Sequence, residues 1–318
     1  DVSNISQGFI SAFGWLSPSL VKDRINMLLC SKYVRWRRLG MMVVLMNHIE
    51  CKDFLLKLIE DSDEQVKSLA IKAIGKLAYT ELMPFLKKLL NSNDEDCRFW
   101  SAWSSILLGD RQAALERLKS FVVSPAPLRQ HQALPLILRV SDTDDIRRWI
   151  LKVNQHNHRL YAMMIDTGAC KNILWIPWLL EEIRQPERAH VASEAFSNLT
   201  GVDLINEGFM RPRVIHPSDS SLQDSMELAR FFIPDNQVID AWWDFNKNRY
   251  EENKSYLFGR EITLQNCLWI LKNGRQYQRS AAALEMSLLK DHIPLLEIHA
   301  SSLQQYRWIN QVQAKETE

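Results

Sequence analysis

A step into a basic residue recurs along the first half of the chain, at Val34-Arg35, Val66-Lys67, Cys97-Arg98, Leu128-Arg129 and His158-Arg159. The bases are 32, 31, 31 and 30 residues apart. A period of that length marks stacked supersecondary units, because one helix pair cannot bury its apolar face alone but neighbouring pairs bury each other's. The stretch Asp61 to Gly75, DSDEQVKSLAIKAIG, is the clearest copy of the second helix in such a unit. Asp63 stands at its acidic start, Ala70 and Ala73 fall at helical spacing, and Gly75 closes the pattern. First helices lie between the second ones, over 54–60 and 82–91. In FLLKLIE (54–60) apolar residues at 54, 55, 56, 58 and 59 suit a helix packed on both sides.

Six units follow at about 20–48, 51–78, 81–108, 111–140, 142–168 and 173–199, with Pro84 in a first helical turn and Ser124-Pro125-Ala126-Pro127 breaking the fourth. The period fails over 200–235, which holds three Pro and two Gly and reads as a long irregular loop, expected to be protease-sensitive over 205–233. Helical patterning resumes at 238–250, 262–272 and 276–290, and no segment asks for a strand. The expected division is therefore a repeat region at 1–199, an insertion loop at 200–235 and C-terminal helical repeats at 236–318.

The outline Asp63, Val66, Lys67, Ala70, Ala73, Ile74, Gly75, matched more loosely by Asp94, Cys97, Arg98, Ser101 and Gly109, resembles HEAT repeats. The resemblance implies an all-α fold: a HEAT-like α-solenoid of stacked helical hairpins, with the loop insertion and a C-terminal helical continuation. It also implies that Arg35, Lys67, Arg98, Arg129 and Arg159 line a concave face. With Trp36 and Trp100 beside them, they form a candidate ladder for an acidic partner surface. The competing reading of the ladder is structural, with Asp63 four before Lys67 and Asp94 four before Arg98 as i,i+4 pairs. A weaker candidate set is Arg211, Arg213, His216 and Trp242. The adjacent pair Trp242-Trp243 is expected to point to different helix faces.

Several functions find no support in the residues. Net charge is +1, which argues against a protein whose main work is coating nucleic acid. The five Cys (30, 51, 97, 170, 267) are dispersed without a CxxC, as in a reducing compartment, and a cytoplasmic location is expected. No apolar run approaches the ~20 residues of a membrane span. His156 and His158, with His131 and His190 in neighbouring units, lack the convergence a metal needs. His216 with Asp219, Asp224 and Ser218 has nothing to fix a catalytic geometry. No phosphate loop or HExxH is present. The chain is thus expected to be no enzyme, with no cofactor and no metal.

A narrower resemblance covers nearly the whole chain. It rests on DVSNISQGFISAFGWL (1–16), DEDCRFWSAWSSILLGDRQAAL (94–115), SEAFSNLTGVDL (193–204), AWWDFNKNRY (241–250), YLFGREITLQNCLWIL (256–271) and QRSAAALEMSLL (278–289). These stretches resemble a bacterial HEAT-repeat family often encoded among type VI secretion genes, whose members usually carry a further N-terminal region. That resemblance implies a protein partner, a secreted effector or toxin or a spike-tip component, held for loading or held inactive. It carries over no catalytic residue. The alternative from the enzyme class is a HEAT-like DNA glycosylase, in which Arg35, Arg98, Trp36 and Trp100 would line a groove for duplex DNA. A bilin-lyase-like enzyme would rest on fold analogy alone.

Overall fold

The computed structural model describes the chain except residues 1–7, 9–11, 14, 15, 17, 124–126, 155–170, 213–231, 291 and 318. Among the described residues the fold is all-α apart from two short ribbons. The chain forms two compact units, one of residues 1–140 with 263–318 and one of residues 141–262. These units group the residues differently from the sequence division at 199 and 235.

The first unit opens with four helix pairs: α1 (Pro18–Leu29) and α2 (Val34–Asn47), α3 (Lys52–Leu58) and α4 (Glu64–Lys76), α5 (Met83–Leu89) and α6 (Glu95–Leu107), α7 (Ala113–Val123) and α8 (Pro127–Val140). Short connections make each pair an antiparallel hairpin. The second helices α2, α4, α6 and α8 pack in a row, each against the next. Asp63 and Asp94 start their helices as N-caps, accepting hydrogen bonds from the Val66 amide at 3.0 Å and the Cys97 amide at 2.7 Å.

The small residues of the repeat hold α4 and α6 together. Ala70 and Ala73 are fully buried. A Cβ on Gly75 would lie 2.5 Å from the Ser104 Cα, so the two backbones touch there. Ser104 Oγ donates to the Ile71 carbonyl at 2.9 Å across the same contact. Gly75 thus stands one residue before the end of its helix, where the sequence pattern closes, and serves there as a backbone contact. The helix runs to Lys76, and the left-handed residue beyond it is Ala78, at φ 59°. The first helix α3 is also less enclosed than its apolar run implied. Leu55 and Leu58 are buried, but Leu56 is 42% exposed.

The rest of this unit is α13 (Leu264–Asn273), α14 (Gln276–Leu289) and α15 (Ser302–Thr317). These helices return to the first pairs. Arg139 of α8 and Glu285 of α14 form an ion pair at 2.9 Å whose side chains are each 5% exposed. The Leu295 amide donates to the Lys76 carbonyl at 2.8 Å, and Lys76 and Glu297 form a second ion pair. Gln304 Nε2 donates to the Leu16 carbonyl at 3.1 Å and to Asn47 Oδ1 at 2.5 Å.

The second unit contains α9 (Thr143–Asn154), α10 (Ile176–Ile183), α11 (Ala189–Thr200) and α12 (Asn236–Asn246). It also holds strands that the sequence did not ask for. β1 (Met210–Pro212) pairs antiparallel with β2 (Phe232–Pro234), so the described ends of the expected irregular loop form a ribbon. β3 (Tyr256–Leu257) pairs with β4 (Arg260–Glu261) across a two-residue turn. Phe258 and Gly259 both have positive φ, 51° and 72°, as the hairpin twist requires. That turn caps α11: the Phe258 amide donates to the Asn198 carbonyl at 2.6 Å and Gly259 to Leu199 at 3.1 Å. Tyr250 Oη adds a bond to the Thr200 carbonyl at 2.9 Å. A Cβ on Gly259 would sit 2.5 Å from the Thr200 carbonyl oxygen. The stretches NLTG and YLFGRE thus form one contact, remote in sequence and without a periodic signature.

Candidate protein-binding surface

The basic ladder is mostly engaged within the chain. Lys67 pairs with Glu64 one turn earlier, at 2.9 Å. Arg98 reaches back to its own hairpin turn, donating to the Ser92 carbonyl at 2.6 Å and the Asn93 carbonyl at 2.8 Å. Arg129 spans to the preceding pair, where it meets Asp96 and lies 3.7 Å from Glu95. Its guanidinium also sits over Phe99 at 4.9 Å and Phe121 at 5.7 Å. Arg159 lies outside the described residues.

The i,i+4 pairs of the structural reading are not the ones that form. Asp63 binds Arg38 through both carboxylate oxygens, at 2.9 and 2.5 Å, as well as capping α4. Asp61 takes Arg37 in the same two-bond fashion, at 2.6 and 2.7 Å. Successive pairs are therefore pinned by Arg37–Asp61, Arg38–Asp63 and Arg129–Asp96. The Arg38 hydrogen bond holds the Asp63 carboxyl below its ordinary range. Burial pushes Asp61 up, but Arg37 and the Asp63 backbone amide outweigh it and leave this carboxyl low too.

Arg35 differs from the other ladder residues. It is exposed at the start of α2, with its guanidinium 5.2 Å from the Trp36 ring and 5.7 Å from the Tyr33 ring. Lys32 Nζ lies 5.1 Å from the Tyr33 ring. Two cations over two aromatic rings make a patch suited to an acidic, partly apolar surface. Trp36 is half-buried against the core, and Trp100 is half-buried between Phe99 at 5.0 Å and Trp103 at 5.4 Å.

Further along the second helices the charges are enclosed. Lys72 Nζ stands 4.1 Å over the Trp100 ring. Burial first, and then the neighbouring Lys76, push its ammonium down to about 8. His48 ends α2 in a left-handed conformation at φ 50°, edge-on to Trp308 at 6.4 Å. Burial, helped by Lys76 and opposed by Glu297, pushes the imidazole down to about 3. Both His48 ring nitrogens and Gln304 Oε1 are buried without a hydrogen-bond partner among the described residues. They border a pocket of about 190 Å³ lined also by Met46, Leu296, Glu297 and Trp308.

Glu64, Asp94 and Cys97 bring three potential metal donors within 4.8 Å of one another. Each is already engaged. Cys97 Sγ lies 3.6 Å from Glu64 Oε2, Glu64 Oε1 meets Lys67, and Asp94 caps α6. Burial, then Asp94 and Glu64, raise the thiol well above its ordinary value.

In the second unit Arg211 of β1 pairs with Asp235 at 3.1 Å. Trp242 and Trp243 do not diverge as adjacent helical residues should. Both rings lie edge-on to Phe196, at 5.8 and 6.4 Å. Arg213 and His216 lie outside the described residues, as do Asp219, Asp224, Ser218 and the pair His156 and His158. His131 is exposed, and both nitrogens of His190 are buried without a hydrogen-bond partner among the described residues.

Sequence reasoning missed Lys72, His48 and the Arg37–Asp61 and Arg38–Asp63 bonds. A signal for the last exists, since Arg37-Arg38 and Asp61-x-Asp63 are separated by less than one repeat. None exists for His48, whose neighbours come from the far end of the chain.

A row of second helices, backed by short first helices and pinned from pair to pair, defines an α-solenoid scaffold. The family model for HEAT repeats matches residues 52–136, from α3 into α8, so this span carries HEAT repeats. No curated protein and no solved structure matches the chain. Among the described residues, no helix is long and apolar enough to cross a membrane.

Proposed function

We propose that this protein is a cytoplasmic binding scaffold that carries out no chemical step of its own. Its partner is a type VI secretion effector or spike-tip protein, held for loading or kept inactive. The observation that carries the scaffold reading is the HEAT-repeat match across helix pairs stacked by their second helices. Such stacks offer long continuous surfaces that suit protein recognition. The exposed Lys32, Tyr33 and Arg35, beside the half-buried Trp36, support an acidic partner. The identity of the partner rests on the resemblance of the six stretches above. Of the residues named for the glycosylase alternative, Arg98 is held by internal carbonyls and Trp100 is half-buried among aromatic rings, which leaves Arg35 and Trp36 alone to serve a groove.

The test is a tagged pull-down from the native cell with mass spectrometry, at moderate and at high salt. One stoichiometric effector or spike component supports the proposal. A complex of nanomolar or tighter affinity that silences the effector assigns the immunity role, and release on delivery assigns the loading role. Recovery of nucleic acid alone, lost at high salt, contradicts it.

A further inference from the structure

Of the four lysines of the helix pairs that are not exposed, three pair with carboxylates: Lys67 with Glu64, Lys76 with Glu297 and Lys119 with Glu116. Lys72 does not. It is half-buried on α4, with its ammonium over Trp100, and it has no hydrogen bond or ion pair among the described residues. The charged groups that face it are Lys76, which repels it, and Glu297. Glu297 is already taken on both oxygens, one by Lys76 and one by the His299 amide at 3.2 Å. An enclosed ammonium with a like charge beside it and no anion of its own is an unfavourable arrangement that a bound carboxylate would relieve.

The chain itself shows what kind of segment this face accepts. Residues Leu295 to Glu297 lie along the end of α4 with the Leu295 amide on the Lys76 carbonyl at 2.8 Å. Leu296 is buried and Glu297 delivers its carboxylate to Lys76. One helical turn earlier, Lys72 and the flat Trp100 ring offer the same two elements, a cation and an apolar wall, with no acid supplied. Among the described residues no arginine is one of the charged groups that face Lys72, so the fork that suits phosphate is missing there.

We propose that Lys72 and Trp100 form an anchoring site for a carboxylate carried by an extended, apolar segment of a partner protein. The segment from Leu295 to Glu297 is the internal example of the ligand. The proposal rests on the scaffold reading and gives its partner a chemistry: an acidic residue flanked by aliphatic ones.

The test follows the Lys72 ε-methylene by NMR titration, with Trp100 fluorescence as a second signal. The ligands are the capped peptides LLEI, copied from residues 295–298, and LLQI, at about 10 mM, the range expected for a single anchoring contact. LLEI is expected to raise the Lys72 titration midpoint by about one pH unit, a tenfold shift of its protonation equilibrium. LLQI and sodium acetate at the same concentration are expected to leave it in place. Lys72→Met, checked for unchanged helicity, should abolish the fluorescence response to LLEI. No shift with LLEI, or an equal shift with LLQI or acetate, overturns the proposal. The two readings fail separately. A partner recovered equally by wild type and Lys72→Met keeps the scaffold and removes this site. A Lys72 response without any partner in the cell does the reverse.

Discussion

The helix pairs of residues 51–108 and the α11 to β4 segment of the second unit are both closely packed, yet they are built on opposite principles. In the repeats contacts recur from one pair to the next: a capping aspartate at Asp63 and Asp94, and an arginine reaching a neighbouring pair's acid at Arg37, Arg38 and Arg129. In the second unit the contacts are singular. One hairpin turn plugs one helix end, and a cluster of Phe196, Trp242, Trp243 and Tyr250 surrounds it. Copied contacts spread stability over many modest interactions. A singular contact concentrates it, so the two regions should respond differently to single substitutions.

The largest effect is expected at the plug. Gly259→Val places a branched side chain at φ 72° and a Cβ 2.5 Å from the Thr200 carbonyl oxygen. The left-handed strain contributes about 1–2 kcal/mol and the overpacking about 2–3 kcal/mol, so denaturant unfolding should show a loss of about 4 kcal/mol. In the repeats a somewhat smaller loss is expected from Arg37→Ala. It leaves the Asp61 carboxylate, 8% exposed, without its two-bond partner. A loss of about 3 kcal/mol is expected, and a loss under about 1 kcal/mol would mean that neighbouring copies compensate.

Next comes an acid effect confined to the first unit. The His48 pKa is lower in the fold, about 3, than its ordinary value of 6.5. The released chain therefore takes up a proton as pH falls below 6.5 while the fold does not. Stability is full above that value and should drop by about 2 kcal/mol between pH 7 and pH 5. His48→Gln should flatten that slope, which urea titrations at several pH values would measure. Asp63, with its folded pKa depressed, adds a further loss only as pH falls through the acid range below its ordinary value.

The smallest effects compare the caps. Asp94 caps α6 at 2.7 Å, whereas Asp235 caps α12 at 3.4 Å. Asp94→Ala should lose about 1 kcal/mol and Asp235→Ala no more than about 0.5 kcal/mol in thermal unfolding. Equal losses would mean that the caps of the two regions are equivalent.

What was legible in the sequence follows the same division. The helix pairs at 18–47, 52–76, 83–107 and 113–140 stand where the period put them, because each repeat restates its own evidence. Asp63 and Asp94 were readable as helix starts for the same reason. Gly75 was visible but its role was not, because a helix-ending glycine and a helix-contact glycine look alike until the partner backbone is known. The two ribbons escaped because strands of two or three residues are too short for an alternating pattern to show. The ladder was legible as a row of bases but not as a set of partners. A charge one residue from Trp36 and a charge tied to Ser92 have the same spelling. Lys72 escaped because its isolation depends on residue 297, more than two hundred positions away.

The most direct measurement is the native-cell pull-down run side by side with wild type, Arg35→Ala and Lys72→Met. Both variants replace half-exposed or exposed cations and should fold with losses within about 0.5 kcal/mol. The account predicts one stoichiometric secretion effector or spike component with wild type, reduced about tenfold with either variant. The same protein recovered at full yield from both variants would contradict the assignment of the second-helix face. Recovery of nucleic acid with no protein partner would contradict the scaffold itself.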